Sequence, residues 1–185
     1  MNAPETPVKL KVATCSLAGC FGCHMSLLDI DERIVDLIEH VEFDRSPLTD
    51  VKHCSPHVDI GLIEGGLCNV DNVEVLREFR THCKYLVAVG SCAITGGVPA
   101  LRNKYSLEAC LTESYVKGVG LREARIPNDP EIPLLLNKVR PIHEAVRVDY
   151  VLPGCPPPAE AFWELLTALL EGRQPELAYE LRRFD

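Results

Sequence analysis

Three short stretches of the sequence combine cysteine with glycine or proline in patterns that suit metal binding. In "GCFGC", two residues separate Cys20 from Cys23, a spacing at which two thiolates bind one metal or neighbouring irons. In "GSCAITGG", Cys92 lies among glycines whose backbone N–H groups can turn towards a thiolate or sulfide. In "PGCPPP", prolines restrict the backbone around Cys155 next to a predicted helix N-terminus, where the dipole favours thiolate. These thiols predict a metal centre.

The composition indicates a reducing compartment. The 185 residues include nine cysteines, and the N-terminal stretch "MNAPETPVKLKV" has no apolar run of signal length and no twin-arginine pair. No later stretch approaches the roughly 18 uninterrupted apolar residues of a membrane span. A net charge of -8 argues against a nucleic-acid surface, because phosphate binding requires clustered Lys and Arg. We therefore expect a cytoplasmic protein with no membrane span and no nucleic-acid partner.

The apolar pattern alternates between the periods of strands and helices. Strands are predicted over 8–14, 58–66, 85–90 and 146–152, and helices over 27–41 with Ser26 as its cap, 69–83, about 104–117, and 158–170 with Gly172 closing it. This alternation with short loops predicts an α/β fold, a flavodoxin-like doubly wound parallel sheet with helices on both faces.

The length of the chain and one irregular segment define the expected domain organisation. A chain of 185 residues can bury a core but is short for two domains, so we expect a single domain over 1–185. Residues 118–145 contain four prolines and little periodicity. We expect this segment to be an extended, ordered arm that lies across the domain or across a partner.

The predicted topology gathers cysteines that are far apart in the sequence. In parallel sheets the carboxyl ends of the strands share one edge, and ligands bind in the crevice above it. The cysteines that follow predicted strands are Cys15, Cys20, Cys23, Cys68, Cys92 and Cys155. The other three, Cys54, Cys83 and Cys110, fall in a turn or on helical stripes, where a small buried hydrophobe explains them.

The spacing of the thiols bears on the kind of metal. An all-thiolate set suits either an iron–sulfur cluster or zinc. Structural zinc ribbons present two short cysteine pairs, whereas here the pair Cys20 and Cys23 is joined by two distant single cysteines. A cubane 4Fe-4S cluster held across the crevice therefore fits better than zinc.

Three other interpretations stay open at this point. Cys15, Cys20 and Cys23 have the spacing of plant-type ferredoxins, with Cys54 as a fourth ligand for a 2Fe-2S cluster, but this leaves "GSCAITGG" and "PGCPPP" without a purpose. Sheets of this type often bind FMN at the same edge, so a flavin beside the cluster is an alternative that we do not predict. A zinc-stabilised interaction protein is the third, and it would be colourless.

Taken together, the motifs resemble the small, electron-transferring subunit of nickel-iron hydrogenases, most closely the short form in cytoplasmic NAD-reducing enzymes. The stretches that carry the resemblance are "SLAGCFGCHMSLLD", "VEFDRSPLTDVK", "IGLIEGGL", "AVGSCAITGG" and "VDYVLPGCPPPAE", which cover nearly the whole chain in order. The resemblance implies that Cys20, Cys23, Cys92 and Cys155 hold a proximal 4Fe-4S cluster. The chain lacks the C-terminal cluster domain of uptake enzymes, so we expect a single cluster.

The resemblance also bears on two further residues. Cys15 would lie beside the cluster without being one of its ligands, either as a spare ligand or, as we favour, as a wall residue. Glu64 matches an acidic position near the family's subunit junction. It would act as a proton relay or a docking residue, or would simply accept N–H groups of its own turn.

The resemblance implies partners and an activity. A separate large subunit would hold the nickel-iron centre, and electrons would cross this chain to diaphorase and ferredoxin-like iron–sulfur subunits. The chain would be a subunit of an H2:NAD+ oxidoreductase and would not split hydrogen alone. F420- or ferredoxin-linked hydrogenases share the cysteine pattern and stay alternatives. The related respiratory complex I subunit has a tandem cysteine pair, whereas two residues separate Cys20 from Cys23.

Overall fold

A computed structural model describes residues 9–184 of the chain. Val8, the first residue of the predicted strand 8–14, and both ends of the expected 1–185 domain lie outside the described residues. The strands are β1 (Leu10–Ser16), β2 (Val41–Phe43), β3 (Val58–Glu64), β4 (Leu67–Asn69), β5 (Cys83–Val89), β6 (Leu135–Arg140) and β7 (Tyr150–Leu152). The α-helices are α1 (Gly22–Leu28), α2 (Arg33–His40), α3 (Val70–His82), α4 (Gly90–Thr95), α5 (Leu107–Tyr115) and α6 (Ala159–Leu170). Short 3-10 helices cover Val98–Lys104, Ile142–Glu144 and Tyr179–Arg182.

Five strands form one parallel sheet in the order β2-β1-β3-β5-β7. This is the flavodoxin-like order of a doubly wound sheet, and it confirms the predicted single-domain α/β fold. The inner strands β3 and β5 are apolar over nearly their whole length, because helices cover a parallel sheet on both faces.

Two hydrophobic cores lie on opposite faces of the sheet. On one face, Leu27 of α1, Leu37 of α2 and Phe162 of α6 pack against the strands. On the other face, Phe79 of α3 and Ala93 of α4 do the same. Successive residues of a strand point to opposite faces, so the inner strands β1, β3 and β5 contribute to both cores, whereas the edge strands β2 and β7 contribute to the first one.

The predicted helix over 27–41 is wrong in its bounds. The structure has two helices there, α1 and α2, separated by a turn in which Asp31 has a left-handed φ of 55°. The predicted cap, Ser26, lies inside α1 instead of at its start. The apolar stripe continues through the turn because both helices pack on the same core, so the sequence pattern does not reveal the break.

Several short elements of the structure are absent from the sequence prediction, among them β2, β4 and β6. Val41–Phe43 is the edge strand β2, although its first residue continues the helical stripe. In the segment 118–145, Leu135–Arg140 forms β6, which pairs antiparallel with β4 and is bonded to the 3-10 helix Val98–Lys104 through side chains of that helix. This segment is therefore partly regular and lies against the strand that follows β3. None of the helices within residues 9–184 has the length and apolar character that crossing a membrane requires.

Candidate metal centre

The register of the parallel sheet sets the ends of four strands at one level. Ser16 pairs with Glu64, Glu64 with Val89, and Val89 with Leu152. The loops that follow these strands enclose a cavity of about 60 Å³. Its lining comes from all four loops: Gly19, Cys20, Gly22, Cys23, Glu64, Gly65, Ser91, Cys92, Gly154, Cys155 and Pro156.

The structure brings Cys20, Cys23, Cys92 and Cys155 together around this cavity, and all four are free thiols. Cys23 lies in the first turn of α1, and Cys92 lies inside α4, where the sequence predicts a loop. Cys155 lies between β7 and α6, before the first turn of the helix, so the expected contribution of the helix dipole does not apply to it. Cys20 and Cys155 are exposed, whereas the other two are half-buried.

Glycines make room for these sulfur atoms. A Cβ at Gly90 would lie 2.5 Å from Cys23 Sγ, and a Cβ at Gly97 would lie 2.7 Å from Cys92 Sγ. Both glycines also have positive φ, of 78° and 50°, a region that other residues rarely adopt. The backbone around the cavity is therefore shaped for thiols at these two positions.

The half-buried thiols of Cys23 and Cys92 are poor acids. Burial raises the pKa of Cys23, and the nearby carboxylate of Glu64 raises it further. Burial also raises the pKa of Cys92, although the backbone N–H of Val98 opposes this shift. Since thiolate is the form that binds metal, binding here must release protons and supply the positive charge that compensates burial.

Glu64 ends β3 and lines the same cavity, with only 2% of its surface exposed. Its Oε1 accepts from Ser16 Oγ at 2.6 Å, and its Oε2 accepts from the backbone N–H of His24 at 3.2 Å. The His24 Nδ1 atom is 3.2 Å from Oε1 but outside hydrogen-bond geometry, while Nε2 contacts Thr14 Oγ1 at 2.9 Å. Burial alone would raise the pKa of Glu64, but the groups of His24 and Ser16 outweigh it, so the pKa lies below its ordinary value.

Other cysteines that the sequence places near the crevice do not line this cavity. Cys15 is buried in the second core together with Cys54 and Cys83, on the opposite face of β1 from Thr14. Burial raises the pKa of Cys15 to about 11. Cys83 begins β5 and is not part of a helix as predicted, and Cys68 lies within β4 instead of in a loop after a strand. The thiol set of a plant-type 2Fe-2S site is therefore divided between two places.

Sequence reasoning missed three polar residues that surround the centre. His24 contacts Glu64, Ser91 lines the cavity, and Ser26 bonds to the turn that contains Cys155. Each makes its main contact with a residue distant in sequence, so no local motif signals its role. Serine is a common N-cap residue, so the sequence alone suggests that Ser26 caps a helix.

The four thiols that line the cavity are a set of soft donors, which suits an iron–sulfur cluster or zinc. Within residues 9–184, no three side chains of His, Cys, Asp or Glu are close enough to share one metal ion. A cubane cluster presents a separate iron to each thiolate and so holds its ligands farther apart than one tetrahedral zinc does. Four converging thiols with space between them fit a cluster better than zinc.

The family model described as NADH ubiquinone oxidoreductase, 20 kDa subunit, matches residues 20–169, a span that includes all four cavity cysteines. The chain belongs to this family. Within the family, the delta subunit of the NAD-reducing hydrogenase HoxS from Cupriavidus necator is 45% identical over 96% of this chain and 86% of its own length. This relative confirms the predicted resemblance to hydrogenase small subunits. The family model itself is named after a subunit of NADH ubiquinone oxidoreductase.

Two further comparisons relate the chain to a solved hydrogenase structure and to an archaeal hydrogenase subunit. A solved structure of an NAD+-reducing NiFe hydrogenase in the H2-reduced state contains a chain with 57% identity, a TM-score of 0.94, and coverage of 96% of this chain and 100% of that one. A subunit of the F420-non-reducing hydrogenase of Methanothermobacter thermautotrophicus is 39% identical over 91% of this chain. The chain spans 56% of the length of that archaeal relative, against 86% for the HoxS relative.

Proposed function

We propose that this chain is the electron-transferring small subunit of an NAD-reducing nickel-iron hydrogenase and holds one 4Fe-4S cluster. The observation that carries the proposal is the convergence of Cys20, Cys23, Cys92 and Cys155 on one cavity from the segments that follow three different strands, β1, β5 and β7. The 57% identity to a chain of an NAD+-reducing enzyme supports the choice of acceptor. In this proposal hydrogen splitting belongs to a partner large subunit that holds the nickel-iron centre.

The residues of this chain determine the surroundings of the cluster. A bound 4Fe-4S cluster supplies one-electron transfer, and the four cysteines would each hold one iron. The N–H of Val98 bonds to the Cys92 sulfur, and a donor of this kind stabilises negative charge on thiolate. The glycine-rich loops leave no side chain between the protein backbone and the sulfur atoms at Gly90 and Gly97. The chain thus fixes the ligands and partly excludes water from them.

The exposure of Cys20 and Cys155 indicates where electrons enter and leave. Electron transfer requires close approach, so the large subunit and an acceptor subunit must dock around these two loops. We propose diaphorase and ferredoxin-like iron–sulfur subunits as the onward partners, because an iron–sulfur cluster transfers one electron at a time whereas NAD reduction is a hydride transfer, which a flavin can supply. A cytoplasmic location is part of this proposal, and fractionation of cells tests it.

The surroundings of Glu64 favour a role in proton transfer over a role in docking. Its carboxylate is enclosed by Ser16 and His24 and faces the cysteine cavity, not the surface. A side chain that is 2% exposed has little area to offer a partner. We therefore retain Glu64 as a proton-relay residue and leave docking to the exposed loops.

Anaerobic iron and sulfide analysis of the full chain tests the cluster. We expect about four irons and four sulfides per chain, and a marked loss of both in Cys92→Ser and Cys155→Ser. Cys110→Ser is the matched control, because Cys110 lies on α5 away from the cavity and should not change the metal content. A Cys92→Ser or Cys155→Ser chain with the full cluster and an unchanged spectrum would contradict the ligand set. Zinc or FMN without iron would contradict the cluster itself.

Affinity capture from native cells tests the partners. A tagged chain should recover a nickel-containing large subunit and two diaphorase chains with NAD-dependent hydrogen oxidation. Recovery with F420- or ferredoxin-linked activity would instead assign the chain to the alternative hydrogenases. Recovery as a stable monomer would contradict a subunit role.

A further inference from the structure

The turn that contains Cys155 can donate few backbone hydrogen bonds. Residues 153–158 follow a three-residue edge strand and include four prolines. Proline has no N–H, so only Gly154 and Cys155 can donate backbone hydrogen bonds in this turn. Its position must therefore depend largely on hydrogen bonds that its carbonyl groups accept from elsewhere.

Two serines supply such bonds. Ser26 Oγ donates to the Pro157 carbonyl at 2.5 Å, across 131 residues of sequence. Ser91 donates twice to the Gly154 carbonyl, from its backbone N–H at 2.8 Å and from Oγ at 3.0 Å. The carbonyl groups on both sides of Cys155 are thus bonded.

The two serines lie on the helices that carry other cavity cysteines. Ser26 is on α1 three positions after Cys23, and Ser91 directly precedes Cys92 on α4. Each bond therefore fixes the Cys155 turn relative to one of the helices with a half-buried thiol. Ser26 is 5% exposed, so water competes little for its bond.

We propose that Ser26 and Ser91 are positioning residues that hold Cys155 in place as the fourth ligand of the cluster. This inference rests on the proposed function of the cavity. Both serines bond to carbonyl groups of the turn and not to the thiol, so they can fix the turn while the sulfur stays free to bind iron. Without them, Cys155 remains a thiol on a loosely held turn, and the iron that it binds is the first to be lost.

The rate at which a ferrous chelator removes iron from the anaerobically purified full chain tests this role. Ser26→Ala removes the only serine bond to the Pro157 carbonyl, and a bond of ordinary strength corresponds to about a fivefold faster release. Ser91→Ala keeps the backbone N–H bond to Gly154, so release should accelerate only about twofold. Ser26→Thr retains a hydroxyl and should restore slower release.

The matched control is Ser106→Ala. Ser106 also makes a hydroxyl hydrogen bond, to the N–H of Ala109 at the start of α5, but it does not line the cavity. This variant should lower the thermal midpoint without changing iron release, whereas the Ser26 and Ser91 variants should lose iron well below their unfolding temperatures. If Ser26→Ala fails to fold, the Ser91→Ala chain alone decides the comparison with Ser106→Ala.

The possible outcomes distinguish a failure of the proposed function from a failure of the positioning role. If the wild-type chain binds no iron and sulfide, the proposed function fails and this inference with it. If the wild-type chain holds its cluster while Ser26→Ala and Ser91→Ala release iron at the wild-type rate, the positioning role alone is wrong. Equal acceleration in Ser106→Ala would likewise overturn it, because the effect would then reflect general destabilisation.

Discussion

Gly90→Ala should expel the cluster while leaving most of the fold intact. The φ of Gly90 is 78°, and placing alanine in this left-handed region costs about 1–2 kcal/mol. The new Cβ would also lie 2.5 Å from Cys23 Sγ, so the thiol must rotate away from the cavity. For a chain of this size, the backbone cost alone lowers the thermal midpoint by about 2–8 °C. The loss of a ligand should in addition lower the iron content well below four per chain.

The Gly172→Ala variant is the control that separates the backbone cost of alanine from its contact with the Cys23 thiol. Gly172 has a similar φ of 69°, and a Cβ there has no neighbour within 4 Å. Gly172→Ala should therefore show only the backbone part of the fall in midpoint by circular dichroism, and only Gly90→Ala should lose iron in anaerobic metal analysis. A Gly90→Ala chain with wild-type iron, sulfide and electron paramagnetic resonance spectrum would refute the assignment of Cys23 as a ligand.

Four further predictions concern other parts of the molecule. Cys15→Ala should keep the full iron content, because Cys15 is buried in the second core and does not line the cavity. Glu64→Gln should raise the reduction potential measured by redox titration, because it removes a negative charge beside the cavity. Phe162→Ala should lower the free energy of unfolding by about 3–5 kcal/mol in urea titration, because Phe162 is fully buried. Asp149→Asn should lower the free energy of unfolding at neutral pH and make it less dependent on pH in acid, because Asp149 accepts a charged hydrogen bond from Arg80 at 2.6 Å.

The sign of the Asp149 effect follows from its pKa. Burial alone would raise this pKa, but the bonds from Arg80 and from the backbone N–H of Leu86 outweigh it, so the folded-state pKa lies below 3.8. The ionised form is therefore favoured in the folded chain. The stabilisation is complete above the unfolded-state pKa and is lost as the pH falls through the folded-state value. Unfolding midpoints of the wild-type and variant chains should differ by a constant amount above the unfolded-state pKa and draw together as the pH falls below it, and curves that stay parallel in acid would contradict the pairing.

The sequence predicts the central sheet well and its periphery poorly. The strands with Ile60 and Val87 are continuous apolar runs between turn residues, which local patterns reveal. Val41 begins an edge strand but also continues the helical stripe before it, so periodicity assigns it to the wrong element. Leu135–Arg140 is a strand because of its pairing with β4, a contact that no local pattern encodes.

The same distinction applies to the candidate site. The convergence of Cys92 and Cys155 with the N-terminal pair is predictable because parallel topology brings strand ends to one edge. Cys15 is instead predicted beside the cavity, because the predicted strand ends at residue 14; β1 extends to Ser16, and alternation within it sets Cys15 on the face opposite Thr14. The bond from Ser26 to Pro157 is not predictable, because it depends on how α1 and the turn before α6 pack together.

The division of the cavity among four loops has a consequence for biosynthesis. Cys20 and Cys23 leave the ribosome first, but the last thiol belongs to residue 155 of 185. The carbonyl groups that fix this thiol bond to Ser26 and Ser91, so its place exists only after the final strand has joined the sheet. If the proposed cluster binds here, iron and sulfide can be delivered to all four thiols only after β7 has been synthesised and folded, and a nascent chain that stops before β7 lacks the Cys155 ligand.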